Sequence, residues 1–212
     1  MVLAKARFTA MLIAANRLDR DGFKCWVFSP GMLFDAPDKW WGDYGPRDFP
    51  HEGMDFCLYR DAADNLRRLD ESTRIPVMHD GRVRALFDDY LGQAVVIEHD
   101  HSAARPEKAL SVYAHTHPRD GVLPGVNVRA GDIIAHIADT GRSKTNILPH
   151  LHFSFGRPSP DIAYEPFVWN HMRDPGLVTL NNPQSLVDWP CELLGHENQD
   201  VIFTSSGPEN FA

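Results

Sequence analysis

The stretch His150-Leu-His-Phe-Ser-Phe155 alternates polar and large apolar side chains without a break. Alternate side chains of a β-strand point to opposite faces of a sheet, so this alternation predicts a strand. Its leucine and two phenylalanines face the core, while His150, His152 and Ser154 share the opposite face. Two neighbouring imidazoles on one face suit metal binding or proton transfer. Two solvent-exposed histidines on an ordinary strand are the plainer alternative, and this stretch alone does not separate the two.

Comparable short runs precede this strand and are separated by Gly, Pro and Asp turn signals. We predict strands within residues 23–28, 55–60, 75–84, 94–98, 110–115 and 126–137. Short strands at close spacing are typical of a compact antiparallel β domain. The predicted fold class is therefore mainly β: a compact, glycine-rich antiparallel β-sheet domain with short helical extensions.

The length of 212 residues suits one domain with extensions. We divide the chain into an N-terminal segment 1–34, a central domain 35–156, and a C-terminal extension 157–212 packed on that domain. The apolar run at 8–15 follows two basic residues and fits either a helix or an uncleaved, signal-like stretch. In the extension, residues 162–172 and 185–194 are each predicted to contain a helical segment, with Pro190 interrupting the second.

Composition excludes several function classes. Lys and Arg number 21 against 29 Asp and Glu, and the net charge of −8 disfavours binding to a nucleic-acid backbone. No apolar run is long enough to span a bilayer. The three cysteines are far apart and form no C-x-x-C, so neither a disulfide framework nor a thiolate zinc site is indicated. The 11 histidines, several of them in close pairs, are the unusual feature.

Two further segments carry potential metal chemistry. His51 and Asp55 supply a nitrogen and an oxygen donor of the kinds that zinc binds, and Gly53 lets the backbone bend between them. A turn that leads into a strand is the alternative for this short pattern. The run Tyr113-Ala-His-Thr-His117 places two more imidazoles on one strand.

Zinc hydrolases commonly use three protein ligands and keep a fourth position for water. His51, Asp55 and one residue of the His150/His152 pair fit that requirement, with the other histidine and His115 beside the open position. The helical signature H-E-x-x-H is absent, because Gly-Met-Asp follows His51-Glu52.

The order of these motifs resembles the lysostaphin-type zinc metalloendopeptidases (peptidase family twenty-three), which cleave peptide cross-links in bacterial peptidoglycan. The resemblance rests on H-x-G-x-D at 51–55, Tyr113-Ala-His115, Gly141 and H-x-H at 150–152, and it covers about residues 50–156. It implies a duplicated-hybrid-motif-like β core with a narrow groove.

Carried over position by position, the resemblance implies metal ligands and catalytic residues. His51, Asp55 and His152 correspond to the ligands of one zinc ion, and His115 and His150 to the catalytic histidines. His117 lies outside the family pattern and stays unassigned. The implied function is zinc-dependent endopeptidase action on a peptidoglycan stem peptide or cross-bridge. The implied location is the bacterial cell envelope, periplasmic or secreted, although the chain shows no clear signal peptide and a cytoplasmic location stays open.

Some segments depart from the minimal catalytic domain of that family: the loop around Trp40-Trp41, the insertion 101–108 and the extension 157–212. They are candidates to narrow or cover the groove. Trp40, Trp41 and Tyr44 fit either a wall of the substrate cleft or the packing of their own loop. Arg142 and Lys144 fit either a contact to a stem-peptide carboxylate or a solvated loop.

Two other functions remain open at the level of sequence. A non-catalytic relative would bind cell-wall peptide or regulate another hydrolase. A histidine phosphocarrier-like domain would use His115 and His150 without metal, but it would not need His51 and Asp55. The scissile bond and the oligomeric state are not specified by the sequence.

Overall fold

The computed structural model describes residues 8–20, 22–99, 108–141 and 147–195. Strands dominate this part of the chain, and the predicted mainly β fold with short helices is confirmed. The two α-helices are α1 (Phe8–Asn16) and α2 (Trp169–Arg173), and single 3-10 turns occur at Pro30–Met32 and Pro183–Leu186. The strands are β1 (Cys25–Phe28), β2 (Met54–Phe56), β3 (Leu58–Arg60), β4 (Leu66–Arg68), β5 (Arg74–Pro76), β6 (Gly81–Asp88), β7 (Gln93–His99), β8 (Ala109–Pro118), β9 (Asn127–Val128), β10 (Ile133–Ile137), β11 (Leu151–Pro158), β12 (Val178–Asn181) and β13 (Cys191–Leu193).

The strands form one large and one small sheet. The large sheet has the order β12-β11-β8-β7-β6-β9, with β2 added beside β11 and β10 pairing with both β8 and β5. The small sheet has the order β13-β1-β3-β4. Every pair in the large sheet is antiparallel, as predicted, and β13 runs parallel to β1 in the small sheet.

The central strands of the large sheet are apolar on both faces. On β7, Val95 and Ile97 join the main core, while Val96 belongs to a second apolar cluster on the outer face. The C-terminal extension covers that outer face and contributes Phe167 and Met172 to the cluster. Burial on both faces explains why this strand reads as a nearly continuous apolar run.

The N-terminal apolar run forms α1, which packs into the main core. The ring of Phe8 is fully buried and stacks on Phe153 with 4.5 Å between ring centres, and it also contacts Phe56 and Tyr113. Asn16 accepts a hydrogen bond from the backbone N–H of Arg74, which ties the end of α1 to β5. Neither helix in the described ranges has the length and apolar character that crossing a membrane requires.

The extension differs from its predicted structure. Within the predicted segment 162–172, helix begins only at Trp169, because Pro166 lacks an N–H and disfavours helical backbone at the preceding residue. The predicted helix at 185–194 is wrong, since a 3-10 turn and strand β13 occupy that region and β13 pairs with β1. Residues 196–212 of the extension, like residues 1–7 of the N-terminal segment, lie outside the described residues.

Candidate active site

Sheet register brings two of the predicted ligands together. Asp55 on β2 lies directly opposite His152 on β11 in an antiparallel pair. The close approach of these strands requires glycine at position 53, because an added Cβ would lie only 2.4 Å from the carbonyl oxygen of Phe153. The bend at Gly53 leads back to His51, whose backbone N–H donates to the carbonyl of Ala36.

The three predicted ligands converge on one point. Nε2 of His51, Oδ1 of Asp55 and Nδ1 of His152 lie 3.0–3.1 Å from one another. Ligand atoms at about 2.0–2.1 Å from a tetrahedral zinc are themselves about 3.3 Å apart, so the spacing of these donors fits a single small cation. In the described part of the chain, His51, Asp55 and His152 each offer one donor atom, and these atoms are close enough together to bind one metal ion. We call these three residues the ligand cluster.

Outer hydrogen bonds orient each member of the ligand cluster. The carbonyl of Leu33 can only accept, so Nδ1 of His51 donates to it at 2.9 Å and Nε2 of the neutral ring presents a lone pair. Nε1–H of Trp40 donates to Oδ2 of Asp55 at 2.7 Å, which leaves Oδ1 directed at the cluster. Ser154 Oγ lies 2.8 Å from Nε2 of His152. Partners of this kind fix the orientation of metal ligands.

Asp55 carries the negative charge of the ligand cluster. Burial raises the pKa of its carboxyl, but the neighbouring imidazoles of His51, His150 and His152 more than offset burial, and the pKa lies well below its usual range. The buried carboxylate is therefore ionised, and a buried anion needs a compensating positive charge. One carboxylate oxygen and two imidazole nitrogens are a donor set that suits zinc.

His150 lies beside the ligand cluster, immediately before β11. Its Nδ1 donates to the carbonyl of Leu148 at 2.8 Å, and its Nε2 lies 3.8 Å from Oδ1 of Asp55. Burial lowers the pKa of His150 to about 3, so the ring is neutral at pH 7. Its Nε2 lone pair can then accept a proton.

His115 reaches the same place through a β-bulge. The pairing of β7 with β8 shifts between Gln93↔Thr116 and Val95↔Tyr113, which gives β8 one extra residue. His115 occupies this bulge with a left-handed φ of 59°. Its ring centre lies 4.8 Å from that of His150. Simple alternation would direct His115 to the inner face with Tyr113, and the bulge redirects it.

The other histidine of that run does not join the cluster. His117 follows the bulge and is exposed to solvent. The two imidazoles that the sequence placed on one strand face are thus separated, with His115 beside the ligand cluster and His117 at the surface.

Asp89, in the turn between β6 and β7, is a site residue that the sequence did not reveal. Its side chain is fully buried, Oδ2 accepts the backbone N–H of His115 at 2.7 Å, and Oδ1 lies 3.2 Å from Nδ1 of the same residue. The second contact has ion-pair distance but lacks hydrogen-bond alignment, since Nδ1 has no aligned partner among the described residues. Burial raises the pKa of Asp89, while the backbone hydrogen bond and the nearby ring of His115 lower the pKa well below its usual range.

A groove of about 460 Å³ opens from the ligand cluster. Its aromatic walls include Trp41, Phe49, Tyr90 and Trp169. Trp169 comes from the extension and stands perpendicular to the ring of His152, with 5.2 Å between ring centres. The described part of the extension, residues 157–195, therefore builds part of the groove wall.

Ion pairing joins the extension to the segment that carries the first ligand. Arg173 pairs with Glu52, the residue that follows His51, and its guanidinium lies 4.3 Å from the ring centre of Phe49. These contacts place α2 along one side of the groove.

The three aromatic residues predicted as cleft-wall candidates have different positions. Trp41 lines the groove. Trp40 is fully buried and supports Asp55, and Tyr44 lines a separate cavity beside Gly31. Arg142 and Lys144, the predicted contacts to a substrate carboxylate, lie outside the described residues.

Comparison with solved structures finds low-identity matches. The solution structure of lysostaphin is 16% identical, with 81% of this chain and 52% of that chain covered and a TM-score of 0.41. A mutant catalytic domain of the prophage-encoded M23 protein EnpA from Enterococcus faecalis is 22% identical, with coverages of 55% and 75% and a TM-score of 0.37. A putative glycyl-glycine endopeptidase LytM from Ruminococcus gnavus is 19% identical, with coverages of 64% and 45% and a TM-score of 0.41. The chain thus spans about half the length of the lysostaphin structure.

No curated protein matches the chain. The model of peptidase family M23 does match, over residues 50–162. That range is more than half of the chain and contains the ligand cluster, His115 and His150. The family predicted from the order of the motifs is confirmed: this chain belongs to peptidase family M23.

Proposed function

We propose that this protein is a zinc-dependent endopeptidase that hydrolyses peptide cross-links of bacterial peptidoglycan. The observation that carries the proposal is the ligand cluster of His51, Asp55 and His152, buried at the base of an open groove with His115 and His150 beside it. Membership of a peptidase family supports the reaction type. The peptidoglycan substrate rests on the resemblance in motif order.

We assign His51, Asp55 and His152 as the ligands of one zinc ion. Bound there, zinc supplies the Lewis acidity that acidifies water and polarises a peptide carbonyl near neutral pH. The hydrogen bond that His51 donates to Leu33 and the one that Trp40 donates to Asp55 support this assignment, because they hold a lone pair of His51 and one oxygen of Asp55 toward a common point.

We assign His150 and His115 as the catalytic residues. Nε2 of His150 is unprotonated at pH 7 and lies close to the ligand cluster, so it can take a proton from an attacking water. The ring of His115 lies against that of His150 and can share the tasks of returning a proton to the leaving amine and stabilising the oxyanion.

The proposed substrate determines where we expect the protein to act and what we expect the groove to bind. Peptidoglycan lies outside the cytoplasm, so we propose that the protein acts in the cell envelope, as a periplasmic or secreted enzyme. A stem peptide or cross-bridge would lie along the aromatic walls that Trp41, Tyr90 and Trp169 provide. We retain the central domain 35–156 as the metallopeptidase unit of this proposal, with 157–212 supplying one wall.

The test is incubation of the zinc-loaded protein with defined cross-linked muropeptides, followed by mass analysis of the products. His152→Ala should lose zinc and activity, whereas His115→Ala should retain zinc and lose turnover. His117→Ala is the matched control, because this exposed histidine on the same strand should affect neither. Equal zinc loss in the His152 and His115 variants would contradict the assignment, and failure of the loaded protein to cleave any muropeptide would favour the non-catalytic alternative.

A further inference from the structure

The bulge in β8 gives His115 an unusual backbone conformation and an unusual partner for its backbone N–H. Its backbone is left-handed, a strained conformation that a residue with a side chain keeps only when the surrounding contacts impose it. Its backbone N–H is bonded to the side chain of Asp89 rather than to a neighbouring strand, whereas its carbonyl accepts the N–H of Ala138. The carboxylate of Asp89 is therefore the partner that completes the bulge.

Asp89 is itself held firmly in the turn between β6 and β7. Oδ1 accepts the backbone N–H groups of Leu91 and Gly92, each at 2.8 Å, and the backbone N–H of Asp89 donates to the carbonyl of Gly92 at 2.9 Å. These bonds leave the carboxylate little freedom to turn. A carboxylate held in this way can fix the position of the backbone and ring of His115, which it contacts.

The same carboxylate is also the acceptor nearest to the ring of His115. Nδ1 is buried and has no aligned hydrogen-bond partner in the described part of the chain, and Oδ1 of Asp89 lies 3.2 Å from it, within reach of a small rotation of the ring. An ionised carboxylate can only accept hydrogen bonds, so this contact favours an N–H at Nδ1 of His115. The opposite nitrogen, Nε2, then carries the lone pair.

We propose that Asp89 is a positioning residue for His115: it holds the bulged backbone through Oδ2 and, through Oδ1, fixes the ring so that the proton is on Nδ1 and the lone pair on Nε2. This inference rests on the proposed function, because it gives His115 the orientation that proton transfer at Nε2 requires. Asp89 is not among the described residues that line the groove or form the ligand cluster, so its proposed effect passes through His115.

The first test measures the tautomer and does not depend on catalysis. In the zinc-loaded wild-type protein at pH 8.5, ¹⁵N NMR of the imidazole of His115 should show the proton on Nδ1. In Asp89→Asn, whose amide offers N–H donors, the Nε2–H tautomer should become populated. A proton on Nε2 in the wild type, or identical spectra in both proteins, would overturn the proposal.

The second test separates positioning from folding in muropeptide cleavage. Asp89→Asn should lower kcat by about 10- to 100-fold and leave KM within twofold and zinc content unchanged, as expected for loss of an orienting partner. Asp88→Asn is the matched control, because Asp88 is the exposed last residue of β6 and its side chain bonds only to the side chain of Gln93 in the described structure. It should behave as wild type.

A double substitution checks that Asp89 acts through His115. Adding Asp89→Asn to His115→Ala should reduce kcat by less than twofold further, since the ring that Asp89 orients is gone. Additive losses, or a loss of zinc that parallels the loss of kcat, would overturn the proposal. If the wild type cleaves no muropeptide, the proposed function fails while the NMR measurement still decides whether Asp89 sets the tautomer.

Discussion

Substitution of Trp40 by Phe removes one hydrogen bond from the ligand cluster and part of a buried indole, and it keeps an aromatic ring in place. The indole Nε1–H donates to Oδ2 of Asp55 at 2.7 Å, and both side chains are buried. Phenylalanine preserves an aromatic ring against His150, whose ring centre lies 5.1 Å from that of Trp40. We therefore expect the fold to persist while the carboxylate loses the donor that directs Oδ1 toward the ligand cluster.

The size of the effect follows from the burial of this bond. Loss of an outer partner of a metal ligand typically weakens metal binding about 10- to 100-fold, which equals about 1.4–2.7 kcal/mol. Nη2 of Arg47 lies 3.9 Å from the same oxygen and can turn toward it. We therefore expect Trp40→Phe to weaken zinc binding by about tenfold, at the lower end of that range.

The assay is zinc competition against a chromophoric chelator, with urea unfolding of the metal-free proteins measured in parallel. Trp41→Phe is the matched control, because the neighbouring indole lines the groove and has no bond to Asp55 among its described contacts. Its zinc affinity should stay within twofold of wild type. Wild-type zinc affinity in Trp40→Phe, or an equal loss in both variants, would refute the reasoning that the indole N–H orients the ligand.

Three further predictions concern the core, the pH dependence and the groove. Phe8→Ala should lower the free energy of unfolding in urea by about 3–5 kcal/mol, because its ring is fully buried, whereas exposed Leu123→Ala should change it by less than about 0.5 kcal/mol. The pKa of folded His150 is about 3 against about 6.5 unfolded, so below pH 6.5 only the unfolded chain takes up this proton and stability falls. Between pH 7.5 and 4.5 this residue should remove about 3 kcal/mol from the metal-free protein, a loss that His150→Gln should abolish in urea titrations at the two pH values. Trp169→Ala should raise KM for muropeptides severalfold while zinc content, measured by metal analysis, stays unchanged; a change in kcat alone would contradict its placement as a wall.

Local sequence patterns predicted the strand that carries His150 and His152 and the bend that carries His51 and Asp55. Alternation over residues 150–155 fixes which side chains share a face, and the structure places Leu151 and Phe153 in the core as expected. These features depend on neighbours in sequence, so a periodic pattern is enough to find them.

The positions of Asp89, Trp40 and His115 could not be predicted in the same way. Each depends on a contact between residues distant in sequence: Asp89 is 26 positions from His115, and Trp40 is 15 from Asp55. The bulge that redirects His115 is a property of the register between two strands, which alternation within one strand does not specify. For the same reason, the strand at Cys191–Leu193 was predicted as helix, because its partner β1 lies far away in the chain.

The extension and the ligand cluster share one face of β11. His152 lies opposite Ala114, which belongs to the outer apolar cluster that the extension covers with Phe167 and Met172. The same segment continues into Trp169, which packs against the ring of His152. Removing the extension would thus expose the outer apolar cluster and take away one side of the groove. A fragment that ends near residue 156 would retain every proposed ligand but lose the surface that encloses one of them, so the unit required for the proposed reaction is larger than the set of residues that the motifs define.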